Sequence, residues 1–414
     1  MSKKIYTQIR NEWHSNWWLA LELLLVSVVM WYVVDYMFVI TNTYNEPHGF
    51  DVSHCYLIEM GKLTDKSSDY IPNDTLLVEE IETLVDRLRH RPEVEAVSLS
   101  ANSYPYNGSN SSITIRYDTL LSDYCIVRSV TPDFFRVFRY EGIRGETPEE
   151  LAQMLSDGNF MASDNLFLSK YDQRLTSFVG KSFFLGNDSA QTFRLIASLN
   201  PVRYSDYEPV WSWTSCFVVS LLLRDWYDTN LELCVRVKAD QDVDFIERLR
   251  ADSEKQFRIG NVFIADIVPF ANIRRDYQMD ETIQIRNYLF GMGFLLLNIF
   301  LGLLGTFWFR TQQRRSEIAL RKALGSTNRD VFRRLLAEGM VILVIATIPA
   351  VIVDWNLAYA ELNYWMNGTT LEPVRFIITV AITFLLIALM IVLGTYIPAR
   401  KAMKIEPAEA LHDE

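Results

Sequence analysis

The 414-residue chain is 50% apolar and 13% aromatic, which excludes a disordered chain and leaves room for two or three domains. Its net charge of −11 excludes the basic face that nucleic-acid binding needs, so no nucleic acid is expected among its partners. Ten Trp, 20 Tyr and 24 Phe suit membrane–water boundaries as well as cores.

In chain order, residues 1–16 carry Lys3, Lys4 and Arg10, and Trp13, Trp17 and Trp18 cluster beside the first apolar run. This segment reads as a short interfacial helix, with a basic tail as the alternative. Residues 17–40 form the first expected span, interrupted by Glu22 and Asp35. The run is longer than a signal-peptide core and no small-residue cleavage site follows it, so it reads as an uncleaved anchor. The second span, 284–309, holds 22 successive residues (288–309) without Asp, Glu, Lys or Arg. The third, 335–360, is apolar apart from Glu338 and Asp354, and the fourth, 374–397, holds only Arg375 at its edge. A hydrocarbon core of about 30 Å needs about 20 helical residues, so each run is long enough.

Lys and Arg set the orientation. Residues 310–334 carry Arg310, Arg314, Arg315, Arg321, Lys322, Arg329, Arg333 and Arg334, and the tail 398–414 adds Arg400, Lys401 and Lys404. The loop 361–373 has none. Four spans put every basic segment on one side, which places both termini in the cytoplasm and residues 41–283 outside. Over 41–287 there are 25 basic against 38 acidic residues, so the negative charge belongs to the outside domain.

That domain alternates strand and helix signals. Residues 52–60 and 94–99 read as strands on either side of a helix whose face is Leu77, Ile81, Leu84, Val85 and Leu88. Residues 231–238 and 262–268 read as strands around a helix marked by Val243, Ile246 and Leu249. Two strand–helix–strand units separated by over a hundred residues predict one α+β subdomain assembled from both ends of the segment, with a β-rich insertion at about 140–225. Cys55, Cys125, Cys216 and Cys234 all lie outside; bridges and free buried thiols are both open, and no C-x-x-C spacing indicates a metal.

No catalytic chemistry is legible. Gly180-Lys181-Ser182 lacks the earlier glycine of a phosphate loop, where Leu175 stands. The five histidines show no H-E-x-x-H pattern, and no G-x-S-x-G elbow occurs. The chain is therefore expected to bind no cofactor or metal and to catalyse nothing itself. Glu22, Asp35 and Glu338 suggest either an ion path or pairing near the span ends.

The most informative stretch is 314–338, RRSEIALRKALGSTNRDVFRRLLAE. A helix over 316–324 stops at Gly325, and Thr327 caps the next with Asp330 at capping-box spacing. Such a turn at the membrane surface suits receipt of force from a soluble partner. Glu317, Arg321 and Lys322 lie on one broad face of the first helix. In the second span Asn298, Gly302 and Thr306 recur every four residues with Gly305 beside them, a small and polar strip for helix contact, either across a dimer or within one protomer.

The segment 317–326, EIALRKALGS, resembles the E-I-[GA]-[IL]-R-[KR]-A-[LM]-G-[AS] signature of the FtsX-like permease family. Residues 397–411, IPARKAMKIEPAEAL, are similar to that family's ending. VTPDFFRVF (130–138) resembles the D-F-F-x-V-F element of MacB-type periplasmic core domains, and VGK (179–181) with FRLIA (193–197) resembles their paired motif, with Ala197 where glycine is usual. The resemblance implies a permease of an ATP-binding-cassette transporter, with four transmembrane helices and a large α+β extracytoplasmic domain, in the bacterial inner membrane. It implies two copies of a separate ATPase subunit that bind ATP and Mg, docking at Glu317, Ile318, Arg321, Lys322, Gly325 and Ser326. It also implies a second permease copy or a homologous one, and it is compatible with a periplasmic adaptor and an outer-membrane duct. Expected cargo is a peptide, lipoprotein or amphiphilic drug, exported or extracted by transmitted motion. The alternatives are an FtsX-like regulator of a periplasmic enzyme and a sensor domain on an anchor.

Overall fold

The computed structural model describes residues 13–72, 76–109, 111–186, 191–210, 215–218, 227–313, 315–360 and 372–403. The interfacial helix expected over 5–16 lies mostly outside the described residues, as do most of the loop 361–373 and the tail beyond Met403. Two units emerge: a helical unit made of residues up to Thr43 and from Glu281 onward, and a domain, Tyr44–Asp280.

In chain order the elements are α1 (Trp13–Tyr44), β1 (Cys55–Lys62), α2 (Leu77–Arg89), β2 (Val94–Ala101), β3 (Ser112–Ile113), β4 (Ile115–Tyr117), β5 (Leu120–Leu121), β6 (Cys125–Val130), α3 (Phe134–Phe138), α4 (Pro148–Met154), β7 (Asn159–Ser163) and α5 (Leu168–Tyr171). They continue with β8 (Ser182–Leu185), β9 (Thr192–Leu199), β10 (Ser215–Val218), β11 (Glu232–Val237), α6 (Phe245–Gln256), β12 (Val262–Pro269), α7 (Phe270–Tyr277), α8 (Met279–Gln313), α9 (Arg315–Ala323), α10 (Asn328–Tyr359) and α11 (Pro373–Met403).

Among the described residues, four helices are long and apolar enough to cross a membrane: Trp17–Tyr44, Met279–Thr306, Asn328–Tyr359 and Pro373–Arg400. At 1.5 Å per residue a 28-residue helix is about 42 Å long, enough to pass the hydrocarbon core and both headgroup layers. All four contribute to one apolar core: Leu19 and Leu23 of α1, Ile299 and Leu303 of α8, Ile342 and Leu343 of α10, Ile387 and Ile391 of α11. The first helix is the most enclosed, with 56% of its apolar window buried against 11% for α8.

The strands of the domain form one 12-stranded sheet in the order β12-β1-β11-β2-β6-β10-β7-β9-β8-β4-β5, with β3 beside β6. As the strand–helix–strand pattern predicts, β1, β2, β11 and β12 come together although they lie at opposite ends of the segment. Ile81, Leu84 and Leu88 of α2 and Phe245 and Leu249 of α6 pack on Ile58, Val97, Leu233, Val235 and Ile267. Val243, expected on the helix face, is 73% exposed. It precedes Asp244, whose left-handed φ of +60° starts the helix one residue later, so Phe245 takes the inward position.

The opposite face of the same strands is also covered. Period-2 alternation places Cys234 and Arg236 away from α2 and α6, where a solvated face is expected. Instead α3 lays Phe134, Phe135 and Phe138 against that side, with Tyr140, Phe217 and Phe270. Arg236 becomes fully buried and is satisfied by backbone: its Nε donates to Val137 O at 2.5 Å, Nη1 to Ser53 O at 2.9 Å and Nη2 to Asp51 O at 2.6 Å. All four cysteines are free and buried.

Asp51 and Asp164, two of the domain's partly buried carboxylates, sit below their ordinary range. Burial pushes Asp51 up, but hydrogen bonds from Ser53 and the charges of Arg236 and Arg139 outweigh it. Burial likewise opposes Asp164, and Thr176, Ser198 and Arg174 outweigh it. Because both values fall on folding, their stabilisation is complete above the unfolded value of about pH 4 and is lost as pH drops through the native values. The domain's thermal midpoint is therefore expected to fall on acidification below about pH 4, and Asp164→Asn to flatten that limb in a calorimetric pH series.

Candidate functional site

The turn between α8 and α10 is built from local chemistry. Helix α9 ends at Ala323, and Gly325 takes φ +97°, a left-handed conformation that L side chains rarely adopt. Thr327 then caps α10: its Oγ1 accepts from Asp330 N at 3.3 Å, and Asp330 Oδ2 accepts from Thr327 N at 3.0 Å. This is the capping box that the sequence spacing predicts.

One side of α9 is anchored. Ile318 and Ala319 are buried with Val331 and Leu335 of α10 and Ala399 of α11. Ile318, expected to face a partner, therefore turns inward and holds the helix to the spans. The side chains of Glu317 and Arg321 lie outside the described residues, Lys322 and Ser326 are half-buried, and Gly325 is exposed. Outward-facing apolar residues are instead Leu320 and Leu324, 52% and 80% exposed. They are four apart on the face away from Ile318, and two apolar stripes on one short helix is the signal that could have found them.

The small-residue strip of α8 is divided by the fold. A Cβ on Gly302 would stand 2.7 Å from Glu22 Oε1, so the end of the Glu22 side chain reaches from α1 to α8 there. Asn298 is exposed and donates to Phe294 O of its own helix at 2.9 Å, Gly305 faces open space and Thr306 is half-buried. Gly394 of α11 comes close to the α8 backbone itself: a Cβ there would lie 3.1 Å from Leu303 Cβ and 3.4 Å from Phe300 O. Sequence reasoning missed Gly394 because a lone glycine in an apolar run carries no pattern.

Asp35 finds its partner 340 residues away. Arg375 Nε donates to Asp35 Oδ1 at 2.8 Å and Nη2 to Oδ2, a two-pronged pair from α11 to α1. One face further along, Trp31 Nε1 donates to Thr379 Oγ1 at 3.0 Å, and the Phe376 ring lies between Trp31 and Trp355 at 5.6 and 5.1 Å. The α1–α11 pairing accounts for the carboxylate without an ion path. The buried hydroxyls of Thr383 and Thr395 donate to Thr379 O and Ile391 O in their own helix, at 2.9 and 2.8 Å.

In the domain, a cavity of about 660 Å³ is lined by apolar residues such as Pro47, Phe50 and Pro201 together with the charged Glu46, Arg139 and Glu141. Among the described residues no group of three His, Cys, Asp or Glu is arranged to hold a metal.

Four membrane-length helices among the described residues, with a large α/β domain between the first two in sequence, fit a membrane protein with an extracytoplasmic domain. Residues 289–407 match the FtsX-like permease C-terminal family. Over 348 residues, 82% of this chain, the sequence is 23% identical to the macrolide export ATP-binding/permease protein MacB of Shewanella sp. (strain W3-18-1). It is 32% identical over 117 residues to the protein of that name from Bdellovibrio bacteriovorus. The chain spans 49% of the first relative and 17% of the second. Among solved structures, the periplasmic region of MacB from Actinobacillus actinomycetemcomitans aligns with 57% of this chain and 98% of its own at 13% identity and TM-score 0.33. The extracellular domain of the noncanonic ABC-type transporter YknZ from Gram-positive bacteria aligns with 51% and 100% at 17% identity and TM-score 0.28. The chain is thus MacB-like along most of its length and FtsX-like in its C-terminal spans.

Removing one partner of a buried ion pair leaves an uncompensated charge, at about 3–5 kcal/mol. Asp35→Ala should accordingly lower the detergent-solubilised melting temperature, and the exchanged pair Asp35→Arg with Arg375→Asp should recover part of the loss.

Proposed function

We propose that this chain is the permease subunit of a MacB-type ATP-binding-cassette transporter and that it passes motion, rather than cargo, through its spans. The observation that carries the reading is α9: anchored through Ile318 and Ala319, ended by Gly325, and offering Leu320 and Leu324 outward within the FtsX-like region. An exposed apolar pair on a short helix fixed to two spans suits a groove in a soluble ATPase, and α9 cannot be displaced without moving α10 and α11.

In this reading two ATPase subunits, holding ATP and Mg, close and push on residues 314–326; the permease itself catalyses nothing. The basic segment 310–334 supports a cytoplasmic position in a bacterium for α9 and both termini, and a periplasmic one for the acidic domain. Two permease chains, identical or homologous, pair in the inner membrane, with the exposed strip of Asn298 and Gly305 on α8 as their contact. Cargo is a peptide, lipoprotein or amphiphilic drug engaged by the domain, whose cavity is lined by both apolar and charged residues. A periplasmic adaptor and an outer-membrane duct complete an export route in a two-membrane cell. The buried threonines Thr383 and Thr395 of α11 spend their hydroxyls on their own helix, which supports this reading.

The test is reconstitution with the ATPase recovered by co-purification from the native host. Truncating central apolar contacts at such interfaces costs about 2 kcal/mol or more, roughly thirtyfold in affinity. Leu320→Glu with Leu324→Glu should release the ATPase and abolish cargo-stimulated hydrolysis while leaving the domain folded. Recovery without any ATP-binding subunit, or labelling of a cysteine at position 320 from outside the cell, would overturn the reading. Disulfide trapping of Asn298→Cys between two chains tests the dimer contact.

A further inference from the structure

The inserted domain is attached to the membrane helices by two chain segments: the one that leaves α1 after Tyr44, and α7, whose last residue precedes α8 by two positions. Both converge on one loop of the domain, residues 203–207. Asp206 is 1% exposed and lies at its centre. Its Oδ1 is 2.8 Å from His48 Nε2, on the first segment, and accepts from Tyr106 Oη at 2.6 Å. Its Oδ2 accepts from Arg274 Nε at 2.6 Å, on α7. Arg203, equally buried, donates to Glu46 O at 2.8 Å and to Asp206 O at 3.1 Å, and its own N–H donates to His48 O at 3.0 Å.

Aromatic rings repeat the same connections. Tyr207 packs on Tyr44 at 5.6 Å, and Tyr204 and Tyr106 each pack on Tyr277 at 5.9 Å. Burial alone would raise Asp206, but hydrogen bonds led by those from His48 and Tyr106 outweigh it and hold the carboxyl well below its ordinary range. An ionised carboxylate therefore stays in place, bonded to both segments at once. Loop 203–207 begins four residues after the end of β9, so it is tied through a short connection to the β-rich half of the sheet.

We propose that Asp206 is the coupling joint of the domain, a positioning residue that binds the segment leaving α1 to the helix feeding α8, so that they move together and drive β9. The joint itself follows from the contacts above; its use in transport rests on the motion-transmitting function proposed for the chain. A carboxylate serving only general stability would have no reason to bond one residue four positions from one membrane helix and another five positions from the next. Tyr106 belongs to neither segment yet bonds the same oxygen as His48, which makes it an independent handle on the joint.

The experiment is hydrogen exchange by mass spectrometry on the full chain in lipid nanodiscs, without any ATPase. Loss of a hydrogen bond to a buried charge is worth roughly a tenfold change in local opening. Asp206→Asn should speed exchange about tenfold in 44–50 and in 270–278 together, with β1, β2 and β11 unchanged, and Asp206→Glu should restore part of it. Tyr106→Phe, which removes one hydroxyl and is expected to fold normally, should loosen the same two segments by a smaller factor. Faster exchange in only one segment, in neither, or uniformly across the domain would overturn the joint. In reconstituted complexes Asp206→Asn should keep ATP hydrolysis while lowering cargo moved per ATP; unchanged cargo per ATP would overturn its coupling role. Loss of the proposed transport function would show separately, as a wild-type chain that stimulates no ATPase, and would leave the exchange result standing.

Discussion

The first and last strands of the domain are hydrogen-bonded neighbours, and this pairing is the constraint around which the domain is arranged. β1 runs antiparallel to β12 with Tyr56 opposite Pro269 and Lys62 opposite Val262. The chain therefore enters and leaves the domain side by side, although more than two hundred residues lie between. Closing such a loop costs entropy that grows only slowly with its length, so a large insertion is tolerated once the end strands pair. With its ends held together, the insertion is free to add β3–β10 to one edge of the sheet through β2 and β6 without disturbing the attachment.

In each unit a buried charge is held by its partners. Arg236 lies in the apolar layer under α3 and is surrounded by backbone carbonyls and Asp51. Asp35 meets the Arg375 guanidinium on both oxygens. Unpartnered, either charge would cost several kcal/mol in a low-dielectric setting. Such pairs contribute little net stability over an apolar core, but they specify which helix face or strand meets which. In the helical unit this fixes α11 against α1 at one level, while Gly394 lets α11 approach α8 at another.

The four membrane helices are not equivalent. α1 is enclosed by the others, whereas α8 leaves Phe290, Phe294, Leu297 and Leu301 uncovered and carries the attachment of α7 at its start. α10 and α11 together grip α9. A division follows in which α1, α10 and α11 form a frame and α8 lies at its margin, a placement suited to a helix that meets lipid or a second chain.

Much of this was legible from local patterning. Charge-free runs of helical length mark the spans, because in lipid only a helix satisfies its own backbone. Thr327, Asp330 and Gly325 marked the turn after α9, since capping and left-handed glycine depend on neighbours within a few residues. Strand alternation identified β1, β2, β11 and β12. What covers each face depended on distant segments: α3 burying Arg236, Arg375 pairing with Asp35, Glu22 closing on Gly302. Ile318 and Leu320 are both apolar on one helix, and only the packing of α10 and α11 decided which is anchor and which is surface. Periodicity determines that a face exists; the tertiary structure decides what it meets, because that choice is made by shape and charge complementarity between residues far apart in the chain.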